Sequence, residues 1–335
     1  MVDSKLKFTS VLVTGATGLL GSYLMAELSE KTRLPLKGLC RNKRKTEIPY
    51  RVFQKTGKEN RFSEIEWIEG NILDEFFLDD IITPGTLVIH AAGMVSFLPK
   101  DREEMMQINY LGTKNVVNAC LGKENVRLCH VSSIAVLRNK NKSKILDETD
   151  FNPPDLSENA YHISKYLAEL EVWRGAEEGL DMVVCNPGLI LAGICPNQSS
   201  GMLLKKAKKT GFFYPTGSTG ILFAEDAARA ITEIAFSSYS SERFILIENN
   251  YSYRELFSML NDYKIRIPLG RRTLKFMALG NIIMNRIFGI PVFISLEMAR
   301  SSTQKSLFSN EKFKNSFPGF EFIKINRDTL SEKTM

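Results

Sequence analysis

The chain has 335 residues, 44% of them hydrophobic and 24% charged, with a net charge of +6. That length suits one large α/β domain with a smaller cap, and the composition excludes a disordered or fibrous chain. Two basic runs, Arg41-Asn42-Lys43-Arg44-Lys45 and Lys205-Lys206-Ala207-Lys208-Lys209, carry no interleaved aromatics, so nucleic acid is not an expected partner.

At the N-terminus, Lys5 and Lys7 precede an apolar run over 8–13. The run is too short for a signal-peptide core and leads straight into glycine turns. Strands are predicted over 10–14, 35–40, 64–69, 86–90, 126–131 and 182–185, with helices over 19–31, 101–121 and 158–178 between them. Near-continuous apolar strands alternating with helices argue for a parallel sheet covered on both faces, a doubly wound Rossmann fold. The polar stretch 49–63 reads as an irregular excursion. After Pro187-Gly188 the pattern loosens, then resumes with a strand at 221–223, a helix over 224–236 and a strand over 244–247. This divides the chain into a dinucleotide-binding domain, 1–188 with 221–248 returning to it, and a mostly helical substrate cap from 189–220 and 249–335. Met202, Leu203, Phe212, Phe213 and Tyr214 either line an apolar pocket in that cap or simply pack it.

The segment 273–293 is apolar, but Lys275 and Arg286 interrupt it and Pro291 follows. It is too broken for an integral membrane span and reads as a buried or amphipathic helix, with peripheral membrane contact the lesser alternative. The five cysteines, Cys40, Cys120, Cys129, Cys185 and Cys195, form no C-x-x-C pair and are odd in number. Their apolar settings suit a reducing, cytoplasmic compartment and no nucleophilic role. His90 and His130 lie in apolar strands and are expected to be satisfied core residues. No His/Cys/carboxylate cluster suggests a metal.

The chemistry is carried by two motifs. Gly15, Gly18 and Gly21 punctuate the first strand-to-helix turn, with Thr17, Leu19 and Leu20 between and beside them. Glycines there allow a tight turn, close backbone approach to a pyrophosphate, and helix–strand packing, and the helix N-terminus favours an anion. The spacing is G-x-x-G-x-x-G rather than the commoner G-x-G-x-x-G. At the end of the second strand an acidic residue would select the ribose hydroxyls of NAD. This chain has Arg41 instead, whose guanidinium suits a 2′-phosphate, so NADP is favoured over NAD; the alternative is a solvated basic loop. The second motif is Tyr161-His162-Ile163-Ser164-Lys165, which puts Tyr161 and Lys165 on one helix face. A neighbouring ammonium is expected to lower the tyrosine pKa and make it an acid–base catalyst.

TGATGLLG (14–21), VIHAAGMVSF (88–97), INYLGTKNVV (108–117), VSSIAV (131–136) and YHISK (161–165) occur in order. In this the chain resembles the extended short-chain dehydrogenase/reductase, or NAD-dependent epimerase/dehydratase, family over nearly its whole length. The resemblance implies pyrophosphate contacts at Gly15, Gly18 and Gly21 and a cofactor-facing turn at Ala91, Ala92 and Gly93. It also implies an adenine contact at Asn71-Ile72, where the family usually has Asp at position 71, and further cofactor contacts at Pro187 and Gly188. Ser133, Tyr161 and Lys165 match the catalytic triad, with Lys165 also holding the nicotinamide ribose. Asn109 matches the family's helix asparagine and is expected to bond backbone.

Ile134-Ala135 follows Ser133 where dehydratases have Asp-Glu, which disfavours dehydration. Asn186-Pro187-Gly188 and the tail Phe308-Ser309-Asn310-Glu311-Lys312 look like the dihydroflavonol-reductase and 3β-hydroxysteroid-dehydrogenase branch. The expected activity is therefore hydride transfer between NAD(P) and a carbonyl or alcohol carbon of a small, apolar substrate. The alternatives are an NAD-dependent nucleotide-sugar epimerase and a cofactor-sensing regulator without turnover. Family members often form homodimers through helices of the dinucleotide domain, which nothing in these residues demonstrates.

Overall fold

The computed structural model describes residues 8–138, 145–154, 159–194, 199–210, 212–289 and 294–334, without the side chains of Ser199, Ser200, Met202, Lys206, Lys209, Thr210 and Thr334. Lys5, Lys7, Cys195 and the Met202 side chain therefore lie outside the described residues.

The strands are β1 (Ser10–Thr14), β2 (Leu36–Cys40), β3 (Glu66–Glu69), β4 (Thr86–His90), β5 (Arg127–Val131), β6 (Asp181–Pro187), β7 (Leu189–Leu191), β8 (Phe213–Pro215), β9 (Ser218–Phe223), β10 (Glu242–Leu246), β11 (Asn249–Ser252) and β12 (Ile267–Leu269). Seven of them form one parallel sheet in the order β10-β6-β5-β4-β1-β2-β3. This is the doubly wound arrangement, with the chain reversing direction of travel between β1 and β4. Strand alternation feeds two cores. Val11, Val13, Leu87 and Ile89 face one, with the Leu19–Lys31 and Ala224–Ala235 helices. Leu12, Val88, Leu128 and Met182 face the other, with Val116, Val117 and Val172 from the helices on that side. Such two-sided burial explains why these strands read as unbroken apolar runs.

Smaller sheets follow: β11-β9-β7, and β12 paired with β8. Around them Leu191, Leu204, Tyr214, Phe257 and Leu330 build a separate core. The C-terminal Glu311–Ser316 helix turns back, burying Phe313 with Phe244 of β10.

Three segments differ from the sequence expectation. Residues 49–63 are not irregular: they hold helices Glu47–Lys55 and Glu59–Phe62, the first burying Pro49, Val52 and Phe53. Its apolar residues fall on a single face, and the polar remainder hides that stripe in a linear reading. The helix expected over 101–121 is instead broken by a π-type turn at Gln107–Leu111 between the Arg102–Met106 and Gly112–Cys120 helices. Extra-residue turns of this kind gather at functional sites, and this one carries Asn109. Helix Glu75–Ile81, capped by Asp74, was not anticipated.

Candidate active site

The sequence-predicted residues converge at the carboxyl ends of β1, β2, β4, β5 and β6. Gly15 sits at φ +67°, and a Cβ there would lie 2.6 Å from the Cα of Ala92. The turn after β1 thus rests directly on the Ala91-Ala92 turn after β4. A Cβ on Gly21 would lie 2.1 Å from the Gly15 carbonyl oxygen, so only glycine lets the helix start this close to the turn. Gly18 is exposed and precedes the helix with no side-chain cap and no acidic residue in the first turn. The first N–H groups of Leu19–Lys31 are therefore left for a ligand, and the dipole selects an anion. These features fit a dinucleotide pyrophosphate.

Arg41 follows β2 directly, is exposed, and has no hydrogen bond or ion pair among the described residues. Asn71, after β3, is also exposed, and its side-chain oxygen already accepts from the Leu73 N–H at 3.1 Å. Ile72 is buried against Gly112, and its carbonyl accepts from Asn115. For Gly188 the structure supplies a packing reason: a Cβ would lie 2.4 Å from the Gly220 carbonyl oxygen of β9.

Tyr161 lies in the first turn of the Ala160–Glu177 helix, where Asn159 accepts its N–H at 2.8 Å. Ser133, which itself caps the single turn Ile134–Val136 after β5, stands near enough to the Tyr161 hydroxyl to favour its ionised form. Lys165 is buried and donates to the Val131 carbonyl at 2.8 Å, at the tip of β5. Ser133, Tyr161 and Lys165 thus share one locus. The expected lowering of the tyrosine pKa is not found. Burial pushes Tyr161 up, Ser133 acts against this, and the ammonium is committed to Val131. Burial lowers Lys165 to about 8, with Glu169 acting in the opposite sense.

Three arrangements escape a sequence reading. First, Glu169 continues the Tyr161-Lys165 face one turn further. Fully buried, it accepts from Trp173 Nε1 at 3.2 Å and Asn186 Nδ2 at 3.0 Å, and pairs with Arg243 of β10. Asn186 also donates to the Ser133 carbonyl at 3.1 Å, tying the pair to the site. Arg243 lies 4.0 Å over the Phe151 ring and donates to the Glu148 carbonyl.

Second, a chain of bonds fixes the turn after β4. Thr113 donates to the Asn109 carbonyl at 2.6 Å, so its oxygen must accept from His90 Nε2 at 3.0 Å. His90 Nδ1 then accepts from the Thr14 hydroxyl at 2.7 Å, and Thr14 accepts the Ala92 N–H at 3.2 Å. His90 is thereby a neutral Nε2–H imidazole, and burial takes its pKa to about 3. Asn109 clasps Met94 through both backbone groups and donates to Ser164 of the Ala160–Glu177 helix, the structural role expected of it. His130 does not match its expectation: it is buried beside His90, yet neither ring nitrogen has a partner among the described residues.

Third, Glu297 faces the Ala160 N–H, which favours its charged form and sets the Leu296–Ser301 helix beside the start of the Tyr161 helix. The described cysteines are buried, and burial raises Cys120 to about 12, which keeps it an inert thiol. An open cavity of about 840 Å³ between Glu248 and Phe322 contains none of these site residues.

Residues 13–223 match the NAD-binding family described as Male sterility protein (NAD_binding_4). The chain belongs to this family, one of the extended short-chain dehydrogenases/reductases. The matched stretch runs from β1 through β9 and includes every predicted site residue. Cinnamoyl-CoA reductase 1 of Petunia hybrida is 27% identical over 269 residues, 77% of this chain and 78% of that protein. A putative dihydroflavonol 4-reductase of Synechocystis is 27% identical over 222 residues, 64% of this chain and 60% of that protein. Among solved structures, that of gox2253 superposes with a TM-score of 0.75 at 26% identity, covering 97% of this chain and 96% of the other.

Proposed function

We propose that the protein is an NADP-dependent oxidoreductase of the reductase type, moving hydride between nicotinamide and a carbonyl or alcohol carbon of a small apolar molecule. The observation that carries the reading is the convergence of Ser133, Tyr161 and the buried Lys165 at the tip of β5, next to a glycine cradle suited to a dinucleotide. The names of the family's reductases agree with it. The exposed cation at Arg41, where NAD enzymes place a carboxylate, favours NADP over the tightly held NAD of an epimerase.

In this reading, Gly15, Thr17, Gly18, Leu19 and Leu20 hold the pyrophosphate. Arg41 takes the 2′-phosphate, and Asn71 and Ile72 border the adenine. Ala91, Ala92, Gly93, Pro187 and Gly188 bound the nicotinamide half. Bound there, nicotinamide supplies or accepts the hydride. Ser133 orients the substrate oxygen by a hydrogen bond. Tyr161 gives that oxygen its proton in reduction and takes it back in oxidation; its high pKa keeps the proton available across the neutral range. The Lys165 ammonium, which donates to the Val131 carbonyl, would also hold the ribose hydroxyls of a bound cofactor and stabilise the phenolate once the proton has left. Residues 1–188 and 221–248 act as the cofactor domain, with 189–220 and 249–335 as the cap.

Calorimetric titration with NADPH and with NADH, followed by a ketone and aldehyde screen, tests this. Tighter NADPH binding with turnover of apolar carbonyls is the expected result. Resident NAD together with UDP-sugar binding would replace the reading by an epimerase.

A further inference from the structure

The Arg271–Phe288 helix stands off the body of the protein. Only Leu274 and Ala278 are buried, and Asn281, which accepts the Ile294 N–H at 3.1 Å, continues that inward line. The opposite side is apolar and open to solvent: Phe276 is 74% exposed, Ile283 56% and Ile287 64%. At about 3.6 residues per turn these three fall on one outward ridge, with Met277 and Met284 on one flank. Arg272, Lys275 and Arg286 lie along the other flank. From Tyr263 to Leu296 the sequence contains Lys264, Arg266, Arg271, Arg272, Lys275 and Arg286 but no Asp or Glu.

Large apolar side chains exposed in a row mark a surface that something covers. The charge pattern says what. A second copy of this helix would bring cations against cations with no carboxylate to pair them, which opposes self-association. An acyl-chain boundary under anionic headgroups satisfies both halves of the pattern: it accepts the ridge while the basic side chains snorkel to the phosphates. No helix among the described residues is long and apolar enough to cross a membrane, so the geometry is that of a helix lying in the interface.

We propose that the Arg271–Phe288 helix docks the protein on anionic lipid membranes. The inference is independent of the reaction assigned above. Through the Leu296–Ser301 helix, which packs on it and reaches Ala160 by way of Glu297, the docked helix stands one element away from Tyr161.

Co-sedimentation of the full chain with vesicles of phosphatidylcholine plus phosphatidylglycerol, or phosphatidylcholine alone, tests it without any activity readout. Binding is expected to the anionic vesicles only and to weaken as salt rises. Lys275→Ala should lower partitioning about five-fold, since each basic residue near such a surface contributes about that factor. The triple variant F276S/I283S/I287S should abolish binding while melting like the parent, because all three side chains are exposed. Arg272→Glu with Arg286→Glu should also abolish it with the apolar ridge intact. No binding to anionic vesicles by folded protein at low salt, or equal binding to neutral ones, overturns the proposal. Concentration-dependent dimerisation lost in the triple variant, without vesicle binding, replaces it by a self-interface.

Discussion

Substituting Glu169 by Gln separates two things the buried Glu169–Arg243 pair does. Gln keeps the size of the side chain, an acceptor for Trp173 and a contact for Asn186. It removes the charge that faces Arg243 and that supports Lys165. Both partners are buried, so the guanidinium is left with the Glu148 carbonyl and the Phe151 and Trp173 rings as its compensation. Breaking one side of such a pair costs about 3–5 kcal/mol. With an unfolding entropy of roughly 2 cal/mol/K per residue, a chain of this size should melt about 4–7 °C lower. Activity should change independently. Lys165 sits at about 8 with Glu169 holding it up; without that carboxylate the ammonium discharges at lower pH. Phenolate stabilisation is present below the lysine pKa and lost above it, so the alkaline limb of kcat should move to more acidic pH. The double variant E169Q/R243M removes the stranded cation and should recover much of the melting temperature, yet keep the shifted limb. Thermal melts and pH profiles of the three variants decide the matter. A single variant that melts like the parent and keeps its alkaline limb would refute both halves of the reasoning.

Tyr161→Phe should fold and bind cofactor but lose turnover about 10²- to 10⁴-fold, the usual worth of a positioned proton donor, in steady-state assays. Arg41→Ala should weaken NADPH about 10- to 100-fold, the worth of a charge-assisted bond, and leave NADH unchanged by calorimetry. Equal effects on both nucleotides would make the basic loop incidental. His90 is neutral when folded, burial holding its pKa at about 3 against the ordinary 6.5 of a histidine. Its contribution is therefore whole above pH 6.5 and lost as pH falls towards 3, on the order of 5 kcal/mol. Denaturant midpoints should fall steeply over that window, and a His90→Gln variant should show a flatter profile.

What was legible in the sequence is what is local. The predicted spans 10–14 and 86–90 reproduce β1 and β4 residue for residue: two-sided burial makes their centres, 11–13 and 87–89, apolar without a break, and the buried polar residues Ser10, Thr14, Thr86 and His90 mark the ends. Gly15 and Gly21 could be read because a turn with φ +67° and a site where a Cβ would lie 2.1 Å from the Gly15 carbonyl oxygen leave no substitute for glycine. The helix over 47–55 was missed because its apolar face has only three buried members among charged neighbours. Partnerships between distant strands were illegible for another reason. Glu169 carries a local signal, the face it shares with Tyr161 and Lys165, but Arg243 has none: it looks like an ordinary charge at the start of a strand. Only the sheet order, which sets β10 beside β6 and brings Arg243 opposite Val184, carries that cation to the carboxylate and, through Asn186, to Ser133. Burial is what holds Tyr161 high rather than low in pKa, and the lysine does not offset it. Spacing on a helix puts Lys165 beside Tyr161, but the end of β5 offers the Val131 carbonyl, and a buried ammonium goes to the acceptor that is already fixed.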